Sequence, residues 1–130
     1  MAPMFVPGPV DVAPEVLAAQ AKPMMPHRSK DFEAIFRRTE EKLEKVFYTQ
    51  YRVFQATSSG SGMQEAGIRN FVQETVLSCT NGSFADRWYN VAISNGKQAD
   101  KLDVPWGQVI TPDMLADALK NGPLWFREYA

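Results

Sequence analysis

Between Thr57 and Met63 the chain reads Ser58-Ser59-Gly60-Ser61-Gly62, a run of hydroxyls and glycines set between an alternating segment and a helical one. Glycine lets the backbone approach a ligand closely, and the first N–H groups of a helix, with the positive end of its dipole, attract phosphate. In an open α/β sheet such a turn lies outside the carboxyl ends of the strands, where ligands bind. The residue types therefore suit a phosphate cup, with the Ser61 hydroxyl and the Gly62 and Met63 backbone N–H groups as donors. A flexible Ser/Gly turn that holds no ligand competes with this reading, because the run matches neither the P-loop nor the dinucleotide fingerprint.

A second strand-to-helix junction follows at Asn81-Gly82-Ser83-Phe84-Ala85-Asp86-Arg87-Trp88. It places Phe84 on the same sheet edge as the cup, where an aromatic ring can stack offset on a flat heterocycle for roughly 0.5–1.5 kcal/mol beyond area burial. The competing reading makes Phe84 and Trp88 core contacts of an amphipathic helix, and for Trp88 it is the stronger one. His27 is the sole histidine and reads as structural. Cys79 is the sole cysteine, which excludes an intrachain disulfide and a cysteine-rich metal cluster and fits a reducing compartment, with cytoplasm as the expectation. No metal site is expected.

The elements that must position these residues follow from periodicity and punctuation. Residues 1–29 carry Pro7, Pro9, Pro14, Pro23 and Pro26 and read as an extended arm, with room for one short helix from Pro14 to Gln20. Phe32, Ile35, Phe36, Leu43, Val46 and Phe47 recur at helical spacing and predict a helix over 31–47, capped by Ser29. Tyr51, Val53 and Gln55 alternate with Arg52, Phe54 and Ala56, which predicts a strand ending near Thr57. Helices over 63–72 and 83–94, the latter closed by Asn95-Gly96, bracket a strand over 75–80. A strand over 99–104 precedes a helix opened by Thr111-Pro112 and closed by Asn121-Gly122-Pro123. The order is arm, helix, then β-α-β-α-β-α, an α/β class with a parallel sheet and right-handed crossovers. A further strand is expected after Pro123, where the chain instead gives the aromatic stretch from Leu124 to Ala130.

Composition sets outer bounds. With 130 residues, 45% apolar, 22% charged and 12% aromatic, the chain is an ordinary globular one with room for a single core. Fourteen basic and fifteen acidic residues leave a net charge of -1 without long runs of either sign, so no footprint for nucleic acid or an anionic membrane is visible. The proline-broken amino terminus resembles neither an export signal nor a membrane span.

Four pieces, Phe5-Val6-Pro7-Gly8-Pro9-Val10 with Pro14-Glu15-Val16-Leu17, His27-Arg28-Ser29-Lys30-Asp31-Phe32, Ser59-Gly60-Ser61-Gly62, and Asn81-Gly82-Ser83-Phe84 with Arg87-Trp88, stand in an order and at a spacing that resemble class V (fold type I) pyridoxal-phosphate aminotransferases. The resemblance is to the amino-terminal part of the alanine/serine–glyoxylate kind and covers about residues 4–123. It implies that residues 30–123 are an incomplete large domain of a fold type I transferase, preceded by the arm at 1–29 and followed by a divergent tail at 124–130. It also implies pyridoxal 5'-phosphate as cofactor, with its phosphate held at Ser61, Gly62 and Met63 and its pyridine ring stacked on Phe84, where many relatives carry tryptophan. Gly8 becomes a substrate-side position, in an arm that crosses toward the second subunit of a homodimer. Amino-acid and oxo-acid substrates are expected.

The departures from the family pattern carry equal weight. The family's chemistry needs a Schiff-base lysine and an acidic residue paired with the pyridine nitrogen. None of the seven lysines, at 22, 30, 42, 45, 97, 101 and 120, stands at the matching position. The expectation is therefore the amino-terminal part of a transaminase that moves an amino group from alanine or serine to glyoxylate or pyruvate, inactive as an isolated chain. The alternatives are a non-catalytic truncated fragment or a small phosphate-binding module.

Overall fold

Helix starts in this chain are written in capping residues. Helix α1 (Pro14–Gln20) begins on a proline, whose fixed φ and missing N–H suit a first turn, and α2 (Lys30–Val46) begins after Ser29, whose hydroxyl accepts from the Phe32 N–H at 3.2 Å. Acidic Asp31 and Glu33 lie in the first turn of α2 and Lys45 in its last, complementing the dipole. The structure is a computed structural model that describes residues 4–122, and these divide between Gln55 and Ala56 into two compact units. The first unit holds the arm, α1 and α2, and no residue of either helix is buried. The stretch from Leu124 to Ala130 lies outside the described residues.

The strand expected from Tyr51 to Thr57 is not formed. Its alternation survives in exposure, since Val53 and Gln55 are half-buried while Arg52, Phe54 and Ala56 are exposed. A strand, however, is defined by its ladder, and among the described residues this segment has no hydrogen-bonded neighbour. A 3.3 Å ion pair between Arg52 and Glu40 ties the segment to α2 instead.

The second unit contains α3 (Gly60–Phe71), β1 (Thr75–Thr80), α4 (Ser83–Ser94), β2 (Gln98–Asp103) and α5 (Pro112–Asn121). β1 and β2 pair in parallel, with Thr75 opposite Gln98 and Thr80 opposite Asp103, and α4 is the crossover between them. Parallel pairing forces this route, because the chain must return to the starting end before the second strand can run alongside the first. Asn95 closes α4 with its own N–H bonded back into the helix, and Gly96 at φ 72° turns the chain into β2. Thr111 caps α5 by accepting from the Met114 N–H at 3.3 Å.

The core of this unit is small: Ile68 from α3, Ala92 from α4 and Val104 beyond β2, with the polar Ser78 and Thr80 of β1. Thr80 is fully buried, and its hydroxyl donates to the Asp103 carboxylate at 2.5 Å while its carbonyl accepts from the Val104 N–H. The carboxyl ends of the two strands are thus locked by side chain and backbone together. Thr80→Val keeps the shape and removes the donor, so it should lower the unfolding free energy by about 1 kcal/mol. Urea denaturation with an unchanged m-value checks this, and an unaltered midpoint would refute it.

Candidate functional site

The turn at the start of α3 and the first turn of α4 come together on one edge of the second unit. Ser59 caps α3, accepting from the Gly62 N–H at 3.1 Å through its hydroxyl and from the Met63 N–H at 3.1 Å through its carbonyl. Two of the three expected phosphate donors therefore already have partners. The Met63 N–H is the first rung of the helical ladder, whereas Gly62 is held only by a side chain that can rotate. The backbone N–H groups of Gly60 and Ser61 have no partner among the described residues, so they are the donors that point from this helix end. The register of donors thus moves toward the turn, and the reason is the cap. A Cβ on Gly62 would collide with the Ser58 hydroxyl, which would have to turn away.

Ser61 and Phe84 are brought together by a residue to which the sequence assigned no role. Arg87 donates from Nη1 to the Ser61 hydroxyl oxygen at 2.7 Å, and its guanidinium carbon lies 5.5 Å from the centre of the Phe84 ring. Phe84 is 62% exposed, so it is a surface plate and not a core side chain. The signal available in the sequence was spacing: Arg87 stands three residues after Phe84 on a helix, and residues so spaced share a face. Gln64 adds a second tie, its amide donating to the Phe84 carbonyl at 3.3 Å.

Packing sets these distances. α3 approaches α4 at Gly67, where a Cβ would sit 3.2 Å from the Trp88 ring, so Trp88 fills the space that a glycine leaves. Trp88 is thereby a packing residue, as expected, though it stays 42% exposed. Between the helices and β1 runs an open groove of about 590 Å³, lined among others by Gln64, Ile68, Leu77, Phe84 and Trp88. A larger hollow of about 990 Å³ at the end of α2 sets Glu41 and Glu44 against Lys45 and offers a phosphate no net attraction.

Charge is arranged unevenly around the edge. Asp86 is taken by Lys101 of β2 at 2.6 Å, and that ammonium also lies 4.7 Å from the Tyr89 ring centre. The hydrogen bond to Asp86 holds the Lys101 pKa above its ordinary 10.5. Arg87 pairs with no carboxylate among the described residues. Gly8 lies in the arm of the first unit, with open space where a side chain would start. Among the described residues no cluster of three or more metal-ligating side chains occurs, and no helix is long and apolar enough to cross a membrane.

No protein-family model matches the chain. An uncharacterized aminotransferase of Methanocaldococcus jannaschii is 36% identical over 118 residues, covering 89% of this chain and 31% of that protein. The small subunit of a soluble hydrogenase from Synechococcus sp. is 36% identical over 113 residues, covering 85% of this chain and 29% of its own length. The crystal structure of alanine–glyoxylate aminotransferase from Nostoc sp. superposes with a TM-score of 0.83 at 27% identity, covering 93% of this chain and 35% of that one. The chain thus spans about a third of the length of the proteins it matches.

Two outcomes follow from this geometry. Ser59→Ala removes the cap of α3 and should cost about 1 kcal/mol of stability, with the amide signal of Gly62 showing faster hydrogen exchange. Asp86→Asn should lower the Lys101 pKa toward 10.5, read by side-chain NMR titration. Because the folded pKa is the raised one, the stabilising contribution is complete below 10.5 and is lost as pH rises through the folded value. A Lys101 titration that Asp86→Asn leaves unmoved would rule out that ion pair.

Proposed function

For a chain that resembles the amino-terminal portion of class V (fold type I) pyridoxal-phosphate aminotransferases, we propose the role of cofactor cradle in an enzyme that transfers an amino group from alanine or serine to glyoxylate or pyruvate. The observation that carries this reading is the juxtaposition of Ser61, Arg87 and Phe84: a hydroxyl, a cation and an exposed aromatic plate within one cluster. Pyridoxal phosphate, when bound, supplies the electron sink that lets an amino group pass between an amino acid and an oxo acid.

The residues present fit its phosphate and its ring. The Ser61 hydroxyl and the Gly60 and Ser61 N–H groups donate to phosphoryl oxygens at the positive end of α3. Gly62 joins them when the Ser59 hydroxyl turns away, and Met63 contributes through the helix dipole. Phe84 stacks on the pyridine ring. Gly8 stands on the substrate side, in an arm that reaches toward the second subunit of a homodimer. Turnover draws its anchoring lysine from outside these 130 residues, since none of the seven lysines stands where the family places it and Lys101 is engaged by Asp86. A single cysteine fits a reducing cytoplasm and leaves this chain without the set of thiolates that an iron–sulfur cluster needs.

Calorimetry with pyridoxal phosphate tests the cradle. Ser61→Ala removes a hydrogen bond to a charged group worth about 1.5–3 kcal/mol, so affinity should fall roughly tenfold or more. Ser58→Ala should matter less. Equal losses would move the cup away from Ser61, and no binding by the unaltered chain would remove the proposal.

A further inference from the structure

We propose that Arg87 is the positioning residue of the phosphate cup, acting through Ser61 and Phe84; the inference rests on Ser61 being a phosphate donor. A serine hydroxyl can donate one hydrogen bond and accept two. When Arg87 donates to its oxygen at 2.7 Å, one lone pair is taken and the Ser61 proton is left to point elsewhere. The guanidinium cannot accept that proton, so the pair has one outward donor and no internal use for it. A phosphoryl oxygen completes the chain from N–H to hydroxyl to phosphate, and each link polarises the next.

The charge balance points the same way. Arg87 is always protonated and follows the first turn of α4, and its guanidinium reaches back over Phe84 and across to Ser61 in the first turn of α3, so a full positive charge sits near the positive ends of two helices. Among the described residues no carboxylate neutralises it, while the adjacent Asp86 is held by Lys101. Without an anion this arrangement is repulsive, and a phosphate dianion converts it into attraction. The guanidinium also lies over Phe84, so the residue that orients the hydroxyl orients the plate. Since Arg87 is exposed, its loss should leave the fold intact.

The test is an NMR titration of the full chain with inorganic phosphate, following the amide signals of Gly60 and Ser61. It compares the unaltered protein with Arg87→Met, Arg87→Lys, Ser61→Ala and the double variant, with thermal unfolding run in parallel. Arg87→Met should weaken phosphate about tenfold without shifting the unfolding midpoint, and Arg87→Lys should restore part of the loss. In the Ser61→Ala background the same change should cost distinctly less, because the hydroxyl through which it acts is gone. Undiminished affinity in Arg87→Met alongside a loss in Ser61→Ala would overturn the inference and leave the cup standing. An equal loss in both backgrounds would reduce Arg87 to an independent charge and overturn its positioning role. No phosphate response in the unaltered chain would overturn the cup and the inference together.

Discussion

Two strands paired in parallel cannot be joined by a tight turn, and the geometry of the second unit depends on this constraint. Once Thr75–Thr80 lies beside Gln98–Asp103 in parallel register, the connecting chain must leave from one end and return to the other, and α4 makes the return. Its first turn, with Phe84, and Arg87 just beyond it are thereby fixed at the carboxyl end of β1, next to the locked Thr80–Asp103 pair. α3 joins the same edge by packing on α4 at Gly67 and Trp88. The meeting of Ser61 with Arg87 is a consequence of sheet topology and one glycine.

Magnitudes separate what builds this edge from what it does. Burying an apolar side chain contributes about 1.5–3 kcal/mol when complete, so the half-exposed Trp88 supplies part of that range. Exposed polar contacts such as that between Arg87 and Ser61 contribute less than about 1 kcal/mol to folding. Packing therefore sets the separation of the two helix starts, and the polar groups between them are available for a ligand. An anion reverses the electrostatic sign of the edge, where two helix starts and a guanidinium face one another while Asp86 is held by Lys101 and Asp103 by Thr80.

Local signals in the sequence translated well. Ser29 and Thr111 cap where expected, Pro14 and Pro112 open helices, Gly96 turns the chain, and the spans of α1, β1 and α4 agree with the reading of the sequence. These features are decided within a few residues. The segment from Tyr51 to Thr57 was misread because alternation reports two unlike faces, whereas a strand also needs a neighbour that local sequence does not contain. Helix α3 began three residues earlier than periodicity suggested, at Gly60, because a cap by Ser59 outweighs the poor helix propensity of two glycines. That shift moved the open backbone donors from Gly62 and Met63 to Gly60 and Ser61. Arg87 was visible as a residue but not as a partner of Ser61, because 26 positions separate them and only the fold joins them.

The cap on Gly62 and the proposed phosphate compete for one N–H, and their energies decide the outcome. Without an anion, the Ser59 hydroxyl satisfies a donor that would otherwise be orphaned at the helix start, worth about 1 kcal/mol. A hydrogen bond to a charged oxygen is worth about 1.5–3 kcal/mol, so a phosphate that reaches Gly62 displaces the serine with a net gain. Ser59 then turns its own hydroxyl outward and becomes a further donor to the same anion. A helix start built in this way keeps the Gly62 N–H satisfied in both states, and the turn needs no refolding to accept an anion.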